Sequence, residues 1–163
     1  FSLSILLLVL VCLLLLLACN SKSDGDKNTT TTLNTITMHK EIIKTDKAPA
    51  AIGPYSQAVR SGDLLFCSGQ IALIADTGEL DTADIKTETH RVMHNIGELL
   101  GAQGLNYSKI IKTTIFMADM ADYAAINEVY ASYFTSDFPA REAVAVKTLP
   151  KNVAVEITVI ASY

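Results

Sequence analysis

From Leu3 to Ala18 nearly every residue is Leu, Val or Ile, whereas from Asn20 to Thr37 almost none is apolar. Beyond Met38 apolar and polar residues alternate with the periods of folded structure. Glu41 to Thr45 is a short strand candidate. "QAVRSG" and "DLLFCSGQIAL" read as two strands joined at Ser61-Gly62-Asp63, a hairpin signal. Ile85, Thr89, Val92, Ile96, Leu99 and Leu100 recur at spacings of three and four, which predicts a helix over Thr82 to Gly104. Asp81 or Thr82 can cap its start, and Gly104 fits just past its end. "KIIKTTIFMA" is rich in β-branched residues and predicts a strand that closes at Asp119. A second helix is expected from Asp122 to Phe134, with Tyr123, Ile126, Val129, Tyr130, Tyr133 and Phe134 on its buried face. "EAVAVKTL" and "VAVEITVIA", separated by "PKN", complete the set as two further strands.

This order, strands, helix, strand, helix, strands, implies an α+β layer: a single mixed sheet of about six strands with two helices on one face. Along the last strand Val153, Val155, Ile157 and Val159 point one way, and Ala154, Glu156, Thr158 and Ile160 the other. Both sides carry mostly buried-type residues, yet the helices cover only one. Another subunit is the expected cover for the second.

The chain has 163 residues, enough for one ordinary domain. Its formal net charge is −4, and it lacks the basic stripe that a nucleic-acid binder needs to neutralise phosphates. Cys12, Cys19 and Cys67 are too few and too ill-spaced for a disulfide framework or a zinc site. His90 and His94 have the i, i+4 spacing of a zinc helix, but no glutamate follows the first and no third ligand is evident, so no metal site is expected.

The apolar run of roughly 16 residues is short for a membrane span and close to a signal-peptide core. It begins at Phe1, so a start methionine and a basic segment are expected upstream. It ends "LLAC", which looks like the lipobox of bacterial lipoproteins, with Cys19 as the lipidated residue. An ordinary signal peptide or a short anchor is the alternative. The expected organisation is a leader over residues 1–19, a flexible polar tether over 20–37, and a domain over 38–163. The expected location is the bacterial cell envelope, with contact to membrane only through the lipid anchor. Translation from Met38 would instead give a cytoplasmic protein.

"APAAIGPYSQAV", "CSGQIAL", "IKTTIFMADMADYAAINEVYASYF", "FPAREAVAV" and "LPKNVAVEITVIA" occur in an order and spacing that resemble the Rid (YjgF-like) family of reactive-intermediate, or enamine/imine, deaminases. The resemblance extends from Ile42 to Ala161. It implies a chorismate-mutase-like α+β fold, assembled as a homotrimer with sites in the clefts between subunits. It also implies hydrolysis of 2-aminoacrylate and related 2-imino acids, 2-iminopropanoate among them, to 2-oxo acids and ammonia, with no metal or organic cofactor.

Such a substrate needs a fork-shaped cation for its carboxylate, a polar wall for the imine and a positioned water. Arg141 in "FPARE" suits the first role, since a guanidinium matches a carboxylate in two-point geometry. The bland reading of Arg141 is a surface ion pair. Glu156 stands mid-strand among apolar residues, where a carboxylate is costly unless paired. The resemblance gives it the attacking water to orient; a structural ion pair is the alternative. Tyr55 in "GPYSQ" matches a pocket tyrosine, or else plugs the space beneath its turn. Ser68 and Gly69 match positions in the same cleft, or simply continue a strand. Asn127 either braces the site or caps structure. Many relatives have serine and cysteine directly after the arginine, where this chain has Glu142 and Ala143. Strand alternation puts Glu142 on the opposite face from Arg141, outside the pocket. Two functions fit: a 2-imino acid deaminase, or a non-catalytic module of the same fold that binds small carboxylates.

Overall fold

The computed structural model describes residues 39–163. The leader, the tether, Cys19 and Met38 lie outside the described residues. Six strands form one mixed sheet: β1 (Lys40–Ile43), β2 (Ala58–Ser61), β3 (Leu64–Gln70), β4 (Ile110–Met117), β5 (Ala140–Ala145) and β6 (Val155–Ser162). Their order across the sheet is β1-β2-β3-β6-β4-β5, antiparallel throughout except for the parallel pair β4–β5. The β2–β3 hairpin turns at Gly62-Asp63, where Gly62 takes a φ of 59° that side chains disfavour.

Two helices, α1 (Ile85–Gly101) and α2 (Tyr123–Ala131), pack on one face. Between them and the sheet lies the core, built from Leu65, Met93, Ile96, Leu99, Ile115, Met117, Ile126 and Ile157, each fully buried. The α+β expectation with both helices on one side is therefore met. Local boundaries differ from the sequence reading. Helix α1 starts at Ile85, because Asp84 accepts hydrogen bonds from the N–H groups of Lys86 and Thr87 and so caps it. Asp81, expected as a cap, instead pairs with Arg91 at 3.0 Å. Helix α2 ends at Ala131, and Tyr133 and Phe134 pack on the core from the turn beyond it. Tyr123, expected on the buried face, is 37% exposed at the first position of α2.

The strand pattern gives β6 one buried face, Val155, Ile157, Val159 and Ala161, and one half-covered face, Glu156, Thr158, Ile160 and Ser162. Neighbouring strands continue that second face with Ile42, Phe66 and Val144, all more than two-fifths exposed. The described residues thus leave a broad apolar sheet face incompletely covered.

Candidate active site

Strand β3 breaks register with β6 between Cys67 and Gln70, so that Ser68 and Gly69 form a bulge. Bulges re-aim side chains and open a ladder locally. Here the opening is filled by Glu156 of β6. A Cβ on Gly69 would overlap Glu156 Oε1 and stand 2.8 Å from its Cδ, so only glycine lets the carboxylate lie across this backbone. Glu156 is half-buried, and burial raises its carboxyl above the usual range. No ion pair involves it among the described residues, so the structural-pair reading has no partner there.

Glu156 faces a cavity of about 270 Å³, lined with it by Tyr55, Ser68, Gly69, Ile71 and Pro150. Tyr55 is 47% exposed and stands at the rim, so it is no plug. Its hydroxyl accepts a hydrogen bond from the Ile52 N–H at 3.2 Å, which leaves its own proton free to donate. Ser68 donates from Oγ to the Ser56 carbonyl at 2.6 Å, and its N–H donates to the Gln57 carbonyl at 3.0 Å. Its hydroxyl therefore stitches the tyrosine loop to the bulge. Cys67, next to it, turns into the core, where burial pushes its thiol up to about 12.

The tyrosine loop is organised by Gln57, which the sequence reading did not single out. Its buried amide nitrogen donates to the carbonyls of Thr45, Ala48 and Pro49 at 2.8–3.0 Å, and its oxygen accepts from the Thr45 N–H at 2.9 Å. A glutamine two places after a Pro-Tyr turn was a usable signal, as was a glycine inside a strand for the bulge.

Arg141 and Asn127 meet in a second cavity of about 260 Å³ with Tyr130, Phe138 and Pro139. Arg141 Nη1 donates to Asn127 Oδ1, and Nη2 donates to the Tyr123 hydroxyl at 3.3 Å. The guanidinium also lies over the Tyr130 ring, 5.1 Å from its centroid, a favourable cation–π arrangement. Tyr130 is fixed in turn by its hydroxyl, 3.0 Å from Thr113 Oγ1. No carboxylate among the described residues pairs with Arg141, so its charge is not spent on a surface ion pair there. Glu142 points to the other side of β5, as alternation requires. It bonds Lys112 and Thr114, and these hydrogen bonds hold its carboxyl low. Ala143 shares the Arg141 face and packs on the core.

The six expected site residues thus form two groups. Tyr55, Ser68, Gly69 and Glu156 lie together, and so do Asn127 and Arg141. The register puts the groups on opposite faces of the sheet: Arg141 aligns with Thr113 and Val159, Glu156 with Phe116 and Val144. His90, the first of the two histidines on α1, lies 2.9 Å from the Tyr133 hydroxyl through Nδ1, and no cluster fit for a metal is present among the described residues.

A family model described as endoribonuclease L-PSP matches residues 45–163. Reactive Intermediate Deaminase A of Arabidopsis thaliana chloroplasts is 44% identical over 131 residues, 80% of this chain and 70% of that protein. Human 2-iminobutanoate/2-iminopropanoate deaminase is 42% identical over 122 residues, 75% of this chain and 89% of that protein. Among solved structures, Escherichia coli TdcF with bound serine superposes with a TM-score of 0.73 at 42% identity, over 76% of this chain and 98% of that one.

Proposed function

This chain belongs to the endoribonuclease L-PSP family, the Rid (YjgF-like) proteins, and we propose that it hydrolyses small 2-imino acids, 2-aminoacrylate after tautomerisation among them, to 2-oxo acids and ammonia. The observation that carries this reading is a complementary pair of half-sites: a carboxylate raised by burial over a bulge, and an arginine fork with no carboxylate partner among the described residues. Relatives named as a reactive intermediate deaminase or as 2-iminobutanoate/2-iminopropanoate deaminases, at 42–44% identity over nearly the whole domain, support it.

One cleft holding both half-sites requires a second copy, because they occupy opposite sheet faces in one chain. The half-covered face of β6 supplies an apolar surface for such an assembly. The assembly we propose is a homotrimer with three clefts. In each, Arg141 grips the substrate carboxylate, steadied by Asn127, while Tyr55 and the Ser68-Gly69 backbone border the imine. Glu156 takes a proton from water as its oxygen bonds to C2 and the C=N π pair moves to nitrogen. The same carboxyl returns the proton to the amine. Glu156, ionised again, then takes the hydroxyl proton of the carbinolamine and passes it to nitrogen as the C–N bond breaks, so that ammonia leaves and the C=O of the 2-oxo acid forms. The residues themselves suffice for these steps, and we propose that no cofactor takes part.

The test generates 2-aminoacrylate in situ with a dehydratase and follows its decay. Acceleration by the protein, lost in Arg141→Ala, is expected. An unaccelerated decay, or full activity in Arg141→Ala, overturns the deaminase reading. The second reading is a non-catalytic module for small carboxylates, and the serine bound by TdcF is the observation that favours it. It predicts saturable binding of small amino or oxo acids without turnover. For the leader, we propose lipidation at Cys19 and attachment to the cell envelope; translation from Met38 would give a cytoplasmic form. Incorporation of a labelled lipid precursor, absent in Cys19→Ser, tests this.

A further inference from the structure

Three polar residues of α1 are buried, Glu88, Thr89 and Asn95; Thr89 returns its hydroxyl to the Ile85 carbonyl of the same helix, whereas Glu88 and Asn95 reach beyond it. Asn95 donates to the carbonyls of Ile71 and Leu73, 3.1 and 2.9 Å away, and so holds one wall of the Glu156 cavity. Glu88, 4% exposed, reaches from the same helix to the chain just before Glu156. Its Oε1 accepts from the N–H groups of Ala154 and Val155 at 2.6 and 3.1 Å. The Ala154 carbonyl is taken at the same time by the Ala118 N–H at 2.9 Å. The two residues preceding Glu156 are thus clamped from the helix on one side and from β4 on the other.

A buried carboxylate on an apolar helix face is costly, because desolvation disfavours its charge. Burial indeed raises the Glu88 carboxyl, against the two backbone hydrogen bonds and with Asp122 adding to the rise. Stability alone would be served as well by an apolar residue and a satisfied strand end. What the acceptor adds is position. It sets where β6 begins, and one residue later Glu156 must lie across Gly69 with no room to spare.

We propose that Glu88 is a positioning residue for Glu156, acting through the main chain of Ala154 and Val155. The inference rests on the deaminase reading for its functional half. Only the acceptor oxygen matters, so glutamine, which keeps it without the charge, substitutes for glutamate. In the full chain, Glu88→Ala lowers kcat about tenfold while KM stays within about twofold, and Glu88→Gln stays within about threefold of the parent in both. Amide hydrogen exchange at Ala154 and Val155 accelerates about tenfold or more in Glu88→Ala and is unchanged in Glu88→Gln. A folded Glu88→Ala with parental kcat and protection overturns the proposal, as does a Glu88→Gln as impaired as Glu88→Ala. Should Glu88→Ala fail to fold, Glu88→Asp, whose carboxylate is one methylene short, takes its place with the same expected losses. If the parent leaves imine decay unaccelerated, the deaminase reading falls, and the exchange comparison still judges the brace.

Discussion

The two half-sites are held in opposite ways. The Glu156 cavity is lined by Gln57, which makes four backbone hydrogen bonds; Asn95 ties down its Ile71 and Leu73, Glu88 holds the chain just before the acid, and the acid lies across a bulge where a Cβ would displace it. The Arg141 cavity sits at the end of α2 beside the edge strand β5, propped by Asn127 and two tyrosine rings, with Phe138 at its rim 62% exposed. The contrast suits the tasks proposed for them. An acid that must act as a base benefits from a fixed, partly dry position that raises its pKa. A guanidinium that captures a carboxylate needs an accessible fork and loses less if it moves.

The largest effects should come from removing either half. Glu156→Gln is expected to lower kcat by about 10²–10⁴ with little change in KM, as loss of a proton carrier does. Arg141→Ala should cost a similar factor in kcat/KM, with much of it in KM. Equal losses in kcat alone for both would erase the distinction between a base and a clamp. Mixing sharpens it further. Subunits bearing Arg141→Ala, reassembled one to one with subunits bearing Glu156→Gln, rebuild intact clefts at about a quarter of their interfaces by random association. Recovery to that level is expected. No recovery in verified mixed trimers would place both halves of a site in one chain.

Gly69→Ala is expected to lower kcat about tenfold, since the new methyl displaces the Glu156 carboxylate from its bed and leaves the Arg141 side untouched. Tyr123→Phe removes only a 3.3 Å contact to the guanidinium and should raise KM about two- to threefold at constant kcat. The smallest effect is thermal. The Glu156 carboxyl is raised in the folded chain, so its contribution to stability is full below its ordinary value of 4.5 and is lost as pH rises through the raised one. Glu156→Gln should therefore melt slightly above the parent at pH 7 and no higher at pH 4. Calorimetry at the two pH values measures it.

The layer architecture was legible because six apolar runs and two helical stripes each keep one period. Boundaries were less so: "DTADIKT" offers Asp81, Thr82 and Asp84 as possible caps, and the tertiary pairing of Asp81 with Arg91 leaves the task to Asp84. Tyr123 fits a buried stripe by spacing, yet stands exposed because the helix begins there and its ring faces Arg141. Asn127 and Arg141 were legible as a pair only through their motifs, since no local rule joins a helix to a strand fourteen residues on. Glu88 and Asn95 were visible as polar letters at spacings of three and four within an apolar face, beside Val92 and Leu99. Their meaning was not, because the groups they satisfy lie 66 and 24 residues away in the chain.

Cys67 gives the neighbourhood of the acid a further property. With its thiol pushed up to about 12 by burial, it holds very little thiolate at neutral pH. Thiolates are the groups that electrophilic carbons capture first. A catalyst bathed in reactive imines would otherwise be alkylated beside its own pocket, one turnover in so many ending in self-inactivation. Turning that sulfur into the core makes the folded domain a poor target for its own substrate, and labelling by iodoacetamide at this residue should track unfolding rather than catalysis.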